Sequence, residues 1–326
     1  LALATALLSM WISNTAAAAM MLPIAIGLAA PLGEGFPRYR LFLLLGLAWA
    51  ANIGGIATLV GSPPNAITAA ALGWGFDDWL KVGLPAFLLL FPLALAVLFH
   101  AVRPEPDLPA VAASARAPFP ATREATLTVA IFTLTVGLWV FGAPLGRALG
   151  IEGDFDSAVA VLAIVLLGLT RTVAWGDIER TSNWGVLLLF GGGITLSTLM
   201  QSSGASGWMA GGLASVLPEG QAWLLYLAVA FFVVFLTELV SNTASAALLV
   251  PLLMPVAGAV GASPAVTAAL IGVAASCAFM LPVATPPNAL VFGTGMVPQP
   301  AMIRAGLRLN LLAALLLPLL LALLAG

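Results

Sequence analysis

Apolar residues fill the chain in long blocks separated by short polar interruptions. The blocks run Leu41 to Val60, Leu80 to Val102, Ala125 to Phe141, Ala158 to Leu169, Trp184 to Met200, Trp223 to Val240, Ala244 to Val260, Pro264 to Val283 and Leu307 to Leu324. Several approach the roughly 20 residues with which a helix crosses the hydrocarbon of a bilayer, and the alternation of a lipid-facing strand is absent. In lipid every backbone N–H and C=O must be satisfied within the chain, so helices are the spanning element. The pattern predicts an all-α polytopic membrane protein.

The interruptions repeat. Ser13-Asn14-Thr15 separates an apolar arm ending at Trp11 from Ala16 to Ala30, and Ser241-Asn242-Thr243 separates Trp223 to Val240 from Ala244 to Val260. Each tripeptide is followed, at similar spacing, by a second break: Gly61-Ser62-Pro63-Pro64-Asn65 and Ala284-Thr285-Pro286-Pro287-Asn288. Two motifs recurring in the same order point to an internal repeat of the kind secondary transporters carry. Paired prolines remove two backbone donors and clash with the preceding turn, so the helices at 41–74 and 264–292 are expected to be split. Unwound backbone at membrane depth persists only where protein or a polar cavity receives it, so both breaks should line a site.

If each tripeptide sits in a hairpin that enters and leaves by one face, five crossings separate the hairpins, at 41–74, 80–102, 125–143, 157–173 and 184–200. An odd number places the hairpins on opposite faces and makes the halves inverted copies. With the first hairpin cytoplasmic, Arg38, Arg40, Arg103, Arg116, Arg123, Arg171, Arg180, Arg304 and Arg308 lie inside, leaving Lys81 and Arg147 outside. That is a strong positive-inside bias. The expected organisation is a partial first repeat over 1–102 (hairpin 1–31, broken helix 41–74, span 80–102), a cytoplasmic linker over 103–123, and a second repeat over 124–326. The second repeat has spans in 125–200, a hairpin at 223–260, a broken helix at 264–292 and a last span at 305–325. The chain opens at Leu1 inside an apolar stretch, and it is expected to lack its natural N-terminus.

Composition narrows the chemistry. Of 326 residues 62% are hydrophobic and 7% charged, with a net charge of -2, a balance that leaves no acidic or basic run for nucleic acid. The single Cys277 excludes a disulfide framework and a cysteine-rich metal site. An intramembrane enzyme would need a nucleophile with a base, paired aspartates or a metal cluster, whereas the one histidine, His100, is remote from the motifs. The chain is therefore not expected to be an enzyme. Asn and Thr at hairpin tips present amide and hydroxyl groups beside free helix ends, where N–H groups favour anions and C=O groups favour cations. Glu238 is the acid flanking a motif within an apolar run; it is either functional or a pin for the hairpin. Gly191-Gly192-Gly193 reads as close helix packing, and Trp74, Trp79, Trp184 and Trp223 as membrane anchors near span ends.

The two Ser-Asn-Thr tripeptides, the Pro-Pro-Asn breaks and the run from Ser276 to Asn288 resemble the divalent anion:sodium symporters, the family of the INDY-type dicarboxylate transporter. The resemblance implies an elevator-type homodimer in a bacterial inner membrane that carries C4-dicarboxylates such as succinate, malate or fumarate with sodium. A relative that exchanges anions without sodium, or carries sulfate or another oxyanion, is the alternative. Motif matching places a first sodium site at Ser9, Ser13, Asn14 and backbone near Gly61, and a second at Thr237, Asn242 and the carbonyls of Val240 and Ala284. The anion would lie among Asn14, Thr15, Ser62, Asn242, Thr243, Thr285 and Pro286. Ser62 departs from the threonine common before the paired prolines, which leaves pocket size and substrate choice open. Relative to the family layout, the first four or so spans, with much of the scaffold and dimer contact, are expected to be missing.

Overall fold

The computed structural model describes residues 1–30, 35–106, 122–149, 155–181, 184–214 and 222–325. Most of the expected linker, including Arg116, and the side chain of Arg147 lie outside the described residues. Sixteen helices and no strand occur among the described residues: α1 Ala2–Ser9, α2 Asn14–Ala29, α3 Pro37–Gly54, α4 Pro63–Leu72, α5 Phe76–Val102, α6 Arg123–Val140, α7 Gly142–Leu149, α8 Phe155–Leu169, α9 Trp175–Thr181, α10 Trp184–Ser202, α11 Ala205–Ala214, α12 Ala222–Leu236, α13 Asn242–Ala259, α14 Pro264–Ala274, α15 Pro286–Gly293 and α16 Gln299–Ala325. Four of them, α5, α6, α13 and α16, are long and apolar enough to cross a membrane.

Helix boundaries follow the local chemistry. Proline opens α3, α4, α14 and α15 within the first turn, where its missing N–H costs no intrahelical bond. Ser13 caps α2 by accepting the Ala16 N–H at 3.3 Å, and Ser263 caps α14 through the Val266 N–H. Gly73 ends α4 with φ +66°, a left-handed conformation that glycine adopts without a Cβ clash. The short helices α7, α9 and α11 add turns that the apolar blocks did not indicate. The last helix begins at Gln299, six residues before the expected span.

The packing interleaves the two ends of the chain. Helix α3 lies against α1, α2 and α5, and α14 lies against α12, α13 and α16, while α5 and α16 join the two sets. Several contacts cross between the two ends: α2 and α3 pack on α15, and α13 and α14 pack on α4. Each helix that starts at a tripeptide therefore lies against the helix that starts at the opposite Pro-Pro break. Where α10 meets α13, a Cβ at Gly193 would lie 3.0 Å from the Ala247 carbonyl, so the close packing expected of the glycine triplet is found at Gly193, whereas a Cβ at Gly191 or Gly192 would meet nothing within 4 Å.

Charged residues collect at two ends. At one, Arg304 and Arg308 share a cavity wall with Leu41, Ala101 and Val102, near the Arg38–Glu105 ion pair of 3.1 Å. At the other, Lys81 pairs with Asp78 at 2.7 Å, and Asp156 accepts the Phe76 N–H at the start of α5 at 2.6 Å.

Trp79 corrects one sequence expectation. It is buried, and its indole N–H donates to the Ile56 carbonyl at 3.0 Å, so it serves the unwound segment after α3 and is not a lipid anchor. Trp184 and Trp223 are exposed.

Glu105 caps α3 from outside the bilayer segments. Its carboxylate accepts the N–H of Arg38 at 3.2 Å, the Arg38 Nε at 3.1 Å and the N–H of Tyr39 at 2.8 Å. Partial burial pushes the carboxyl up, but these backbone donors and the guanidinium outweigh it and hold the group below its ordinary 4.5. A depressed folded value stabilises above about pH 4.5 and is lost as pH falls through the folded value. Glu105→Gln should therefore lower stability by about 0.5–1 kcal/mol at pH 7, seen as a lower melting temperature in detergent. The difference from wild type should shrink below pH 4.5.

Candidate functional site

Two stretches of unwound backbone, 55–62 after α3 and 275–285 after α14, free carbonyls and N–H groups that no helix partner satisfies. In each stretch one asparagine takes up the carbonyls. The buried Asn65 amide donates to the Gly55 and Thr58 carbonyls, both at 2.7 Å. The buried Asn288 amide donates to Ala278 at 3.1 Å and Leu281 at 3.0 Å. These are the asparagines of the two Pro-Pro-Asn motifs, and both pairs of carbonyls lie at the same offset from their asparagine.

A second matching arrangement joins each tripeptide to its neighbouring helix. Ser9 Oγ lies 2.8 Å from Asn14 Oδ1 and 2.6 Å from the Ala51 carbonyl. Thr237 Oγ1 lies 2.7 Å from Asn242 Oδ1 and 2.8 Å from the Ala275 carbonyl. In each triplet three oxygens meet with one hydroxyl hydrogen among them, so lone pairs remain directed at the cluster. Ser9 and Thr237 are fully buried; Asn14 and Asn242 are half-buried, at the first turns of α2 and α13. Backbone crowds the first cluster: a Cβ at Gly55 would overlap the Asn14 amide, and one at Gly61 would lie 2.6 Å from the Gly55 carbonyl. The Thr58 hydroxyl, donating to the Met10 carbonyl, ties the turn before Ser13 to the first break.

The second break has an additional brace. Glu238 is buried, and its carboxylate accepts the N–H groups of Phe279 at 2.7 Å, Met280 at 2.8 Å and Leu281 at 2.8 Å, together with the Asn310 amide at 2.7 Å. Of the two readings of Glu238, the structure supports the pin. What it holds is the second break, with α16 contributing through Asn310.

The remaining expected site residues divide. Ser13, Gly61 and Ser62 line a cavity of about 1040 Å³ whose other walls include Trp74, Trp139, Phe155 and Asp156. Thr285 caps α15 by accepting the Asn288 N–H at 3.3 Å. Thr15, Val240 and Pro286 are exposed, Thr243 is half-buried and Ala284 is buried. Asn242, Thr243 and Thr285 do not line that cavity. Sequence reasoning missed Asn52, Thr58 and Asn310, each a polar residue inside or beside an apolar block. Asn52, on α3, donates to the second break, at 3.0 Å from Thr285 Oγ1 and 3.3 Å from Asn288 Oδ1. No group of three or more metal-ligating His, Cys, Asp or Glu side chains occurs among the described residues.

Comparison with known proteins adds a lineage. The citrate transporter family, CitMHS, matches residues 1–272. A Haemophilus influenzae protein named as an uncharacterised transporter is 45% identical over 317 residues, covering 95% of this chain and 68% of its own length. An uncharacterised transporter of Methanocaldococcus jannaschii is 38% identical over 310 residues, 94% of this chain and 69% of its own length. The sodium-dependent dicarboxylate transporter SdcS of Staphylococcus saprophyticus is 32% identical over 343 residues, 95% of this chain and 66% of its own length. The chain thus spans about two thirds of the length of these relatives.

Glu238→Ala would leave three N–H groups of the second break without an acceptor, at about 1–3 kcal/mol each. The variant should lose at least 3 kcal/mol of stability, or fail to yield a monodisperse peak on size exclusion. Glu238→Gln should fall between it and wild type.

Proposed function

We propose that this chain, which belongs to the citrate transporter family, is a sodium-coupled secondary transporter of divalent anions, with C4-dicarboxylates such as succinate as the favoured substrates. The observation that carries this reading is the pair of matching oxygen triplets, Ser9–Asn14–Ala51 and Thr237–Asn242–Ala275, each beside a helix N-terminus. Hard cations take hydroxyl, amide and carbonyl oxygens, and a cation entering either triplet relieves the opposed lone pairs. Ser13 and Gly61 complete the first cation site, and the carbonyls of Val240 and Ala284 the second. The name of the SdcS relative, a sodium-dependent dicarboxylate transporter, supports the same ion and substrate class.

The anion lies among Asn14, Thr15, Ser62, Asn242, Thr243, Thr285 and Pro286, facing the N-termini of α2, α4, α13 and α15, whose free N–H groups favour negative charge. No Lys or Arg occurs in either tripeptide or either break. Desolvating a doubly charged substrate without countercharge costs many kcal/mol, and neutral donors offset only part of that. Bound sodium supplies the rest, which makes anion binding depend on the cation. If more sodium charge than anion charge crosses per cycle, an inside-negative potential adds ~2.3 kcal/mol per net charge per 100 mV.

In this reading the α1–α2 and α12–α13 pairs are re-entrant hairpins of two inverted repeats. The hairpins and broken helices move as one unit against a scaffold that forms a homodimer. The arginine-rich end is cytoplasmic, as the positive-inside bias requires.

Uptake of labelled succinate into liposomes at clamped voltage tests the coupling. Uptake should collapse when choline replaces sodium on both sides; uptake that continues would establish a sodium-independent exchanger instead. Thr237→Ala removes one oxygen from the second triplet and should raise the sodium concentration for half-maximal uptake about tenfold, with a smaller change in maximal rate. An unchanged sodium dependence would remove Thr237 from the cation site. Sulfate that competes as well as succinate would shift the substrate to oxyanions.

A further inference from the structure

The hydrogen bonds around the second break fix the orientation of a buried side chain outside the motifs. The carbonyls of Ala278 and Leu281 accept from the Asn288 side chain, so its nitrogen faces them and its oxygen faces away. That oxygen lies 3.3 Å from the Asn52 side chain and requires a donor there, so Asn52 turns its nitrogen toward it. The same nitrogen then donates to Thr285 Oγ1 at 3.0 Å. Asn52 is fully buried, and its own oxygen has no partner among the described residues. Flipping the amide would point its oxygen at the Ala278 carbonyl and the Asn288 amide oxygen, neither of which can donate, so the network holds the orientation despite that cost.

The consequence falls on Thr285. Its hydroxyl oxygen already accepts from Asn52 and from the Asn288 N–H at 3.3 Å. Both lone pairs are occupied, and the hydrogen is the hydroxyl's one remaining bonding capacity. Resting on the transport reading above, we propose that Asn52 is a positioning residue that makes the Thr285 hydroxyl an obligate donor, so that this wall of the site recognises a carboxylate or other oxyanion and is closed to sodium. Ser9 and Thr237 are the converse, since each has its hydrogen directed into the protein and lone pairs left over. One hydroxyl chemistry is thereby sorted into anion-facing and cation-facing roles by its neighbours.

The first break lacks this device. Ser276 follows Ala275 as Asn52 follows Ala51, but its hydroxyl is buried without a partner among the described residues, and so is the Asn65 oxygen. Ser62 caps α4 with no side-chain hydrogen bond, so its hydroxyl remains able to donate or accept. The two walls differ in kind, and the Thr285 wall is the one that selects charge.

Succinate uptake kinetics in liposomes at saturating sodium test the proposal. Asn52→Ala should raise KM for succinate about tenfold, with maximal rate and the half-saturating sodium concentration within twofold of wild type. In the Thr285→Ala background the same change should alter KM less than twofold, because the hydroxyl it positions is gone. A wild-type KM in folded Asn52→Ala, or an equal rise in both backgrounds, overturns the proposal and leaves the transport reading standing. A wild-type chain with no sodium-dependent succinate uptake overturns both. The near-isosteric Asn52→Asp serves if the alanine variant does not fold: it turns an acceptor toward Thr285 and should weaken succinate at least tenfold. A folded Asp variant with wild-type KM also overturns the proposal.

Discussion

Backbone freed from a helix in the interior of a membrane protein must find partners within the chain, because lipid offers none. This protein unwinds twice, at 55–62 and 275–285. Most of the unusual side chains answer that requirement. Asn65 and Asn288 take carbonyls, Trp79 takes another, and Glu238 takes three N–H groups. With those demands met, the chain ends on either side of each break are free to present dipoles and lone pairs to a ligand.

The two breaks are built alike and finished differently. Each has a Pro-Pro-Asn clasp and a hydroxyl–amide–carbonyl triplet. Among the described residues the second alone receives a buried carboxylate, where the matching position before the first tripeptide is Met10, and it alone receives a side-chain amide from the opposite half of the chain. The same grouping of hydroxyl, amide and carbonyl thus recurs at both ends of the chain, while the side chains that brace the two breaks differ.

Much of this was legible in the sequence, because it rests on residues with few alternatives. Paired prolines forbid a continuous helix, and a repeated Ser-Asn-Thr between apolar arms marks two helix starts, as found at Asn14 and Asn242. Partnerships between distant residues were not legible. Asn52 sits in the block from Leu41 to Val60, and only packing reveals that it faces a break 233 residues away. Trp79 was misread because nearness to a span end indicates an anchor, whereas here the first break folds back over the start of α5 and needs a donor. Glu238 was noticed for its charge, but its acceptor role depends on three N–H groups more than 40 residues downstream.

The Asn52–Thr285 contact also sets a condition on biosynthesis. At roughly 5–20 residues per second a ribosome needs about 12–47 s to add the 233 residues between them. For nearly all of that interval the amide of Asn52 has none of its three acceptors, since Ala278, 226 residues on, is the first of them to be made and Thr285 and Asn288 follow it. Helices α2 and α4 likewise wait for α15 and α13. The nascent first half therefore enters the bilayer with a polar seam open, and it depends on water, lipid headgroups or the insertion machinery to cover that seam until the second half arrives.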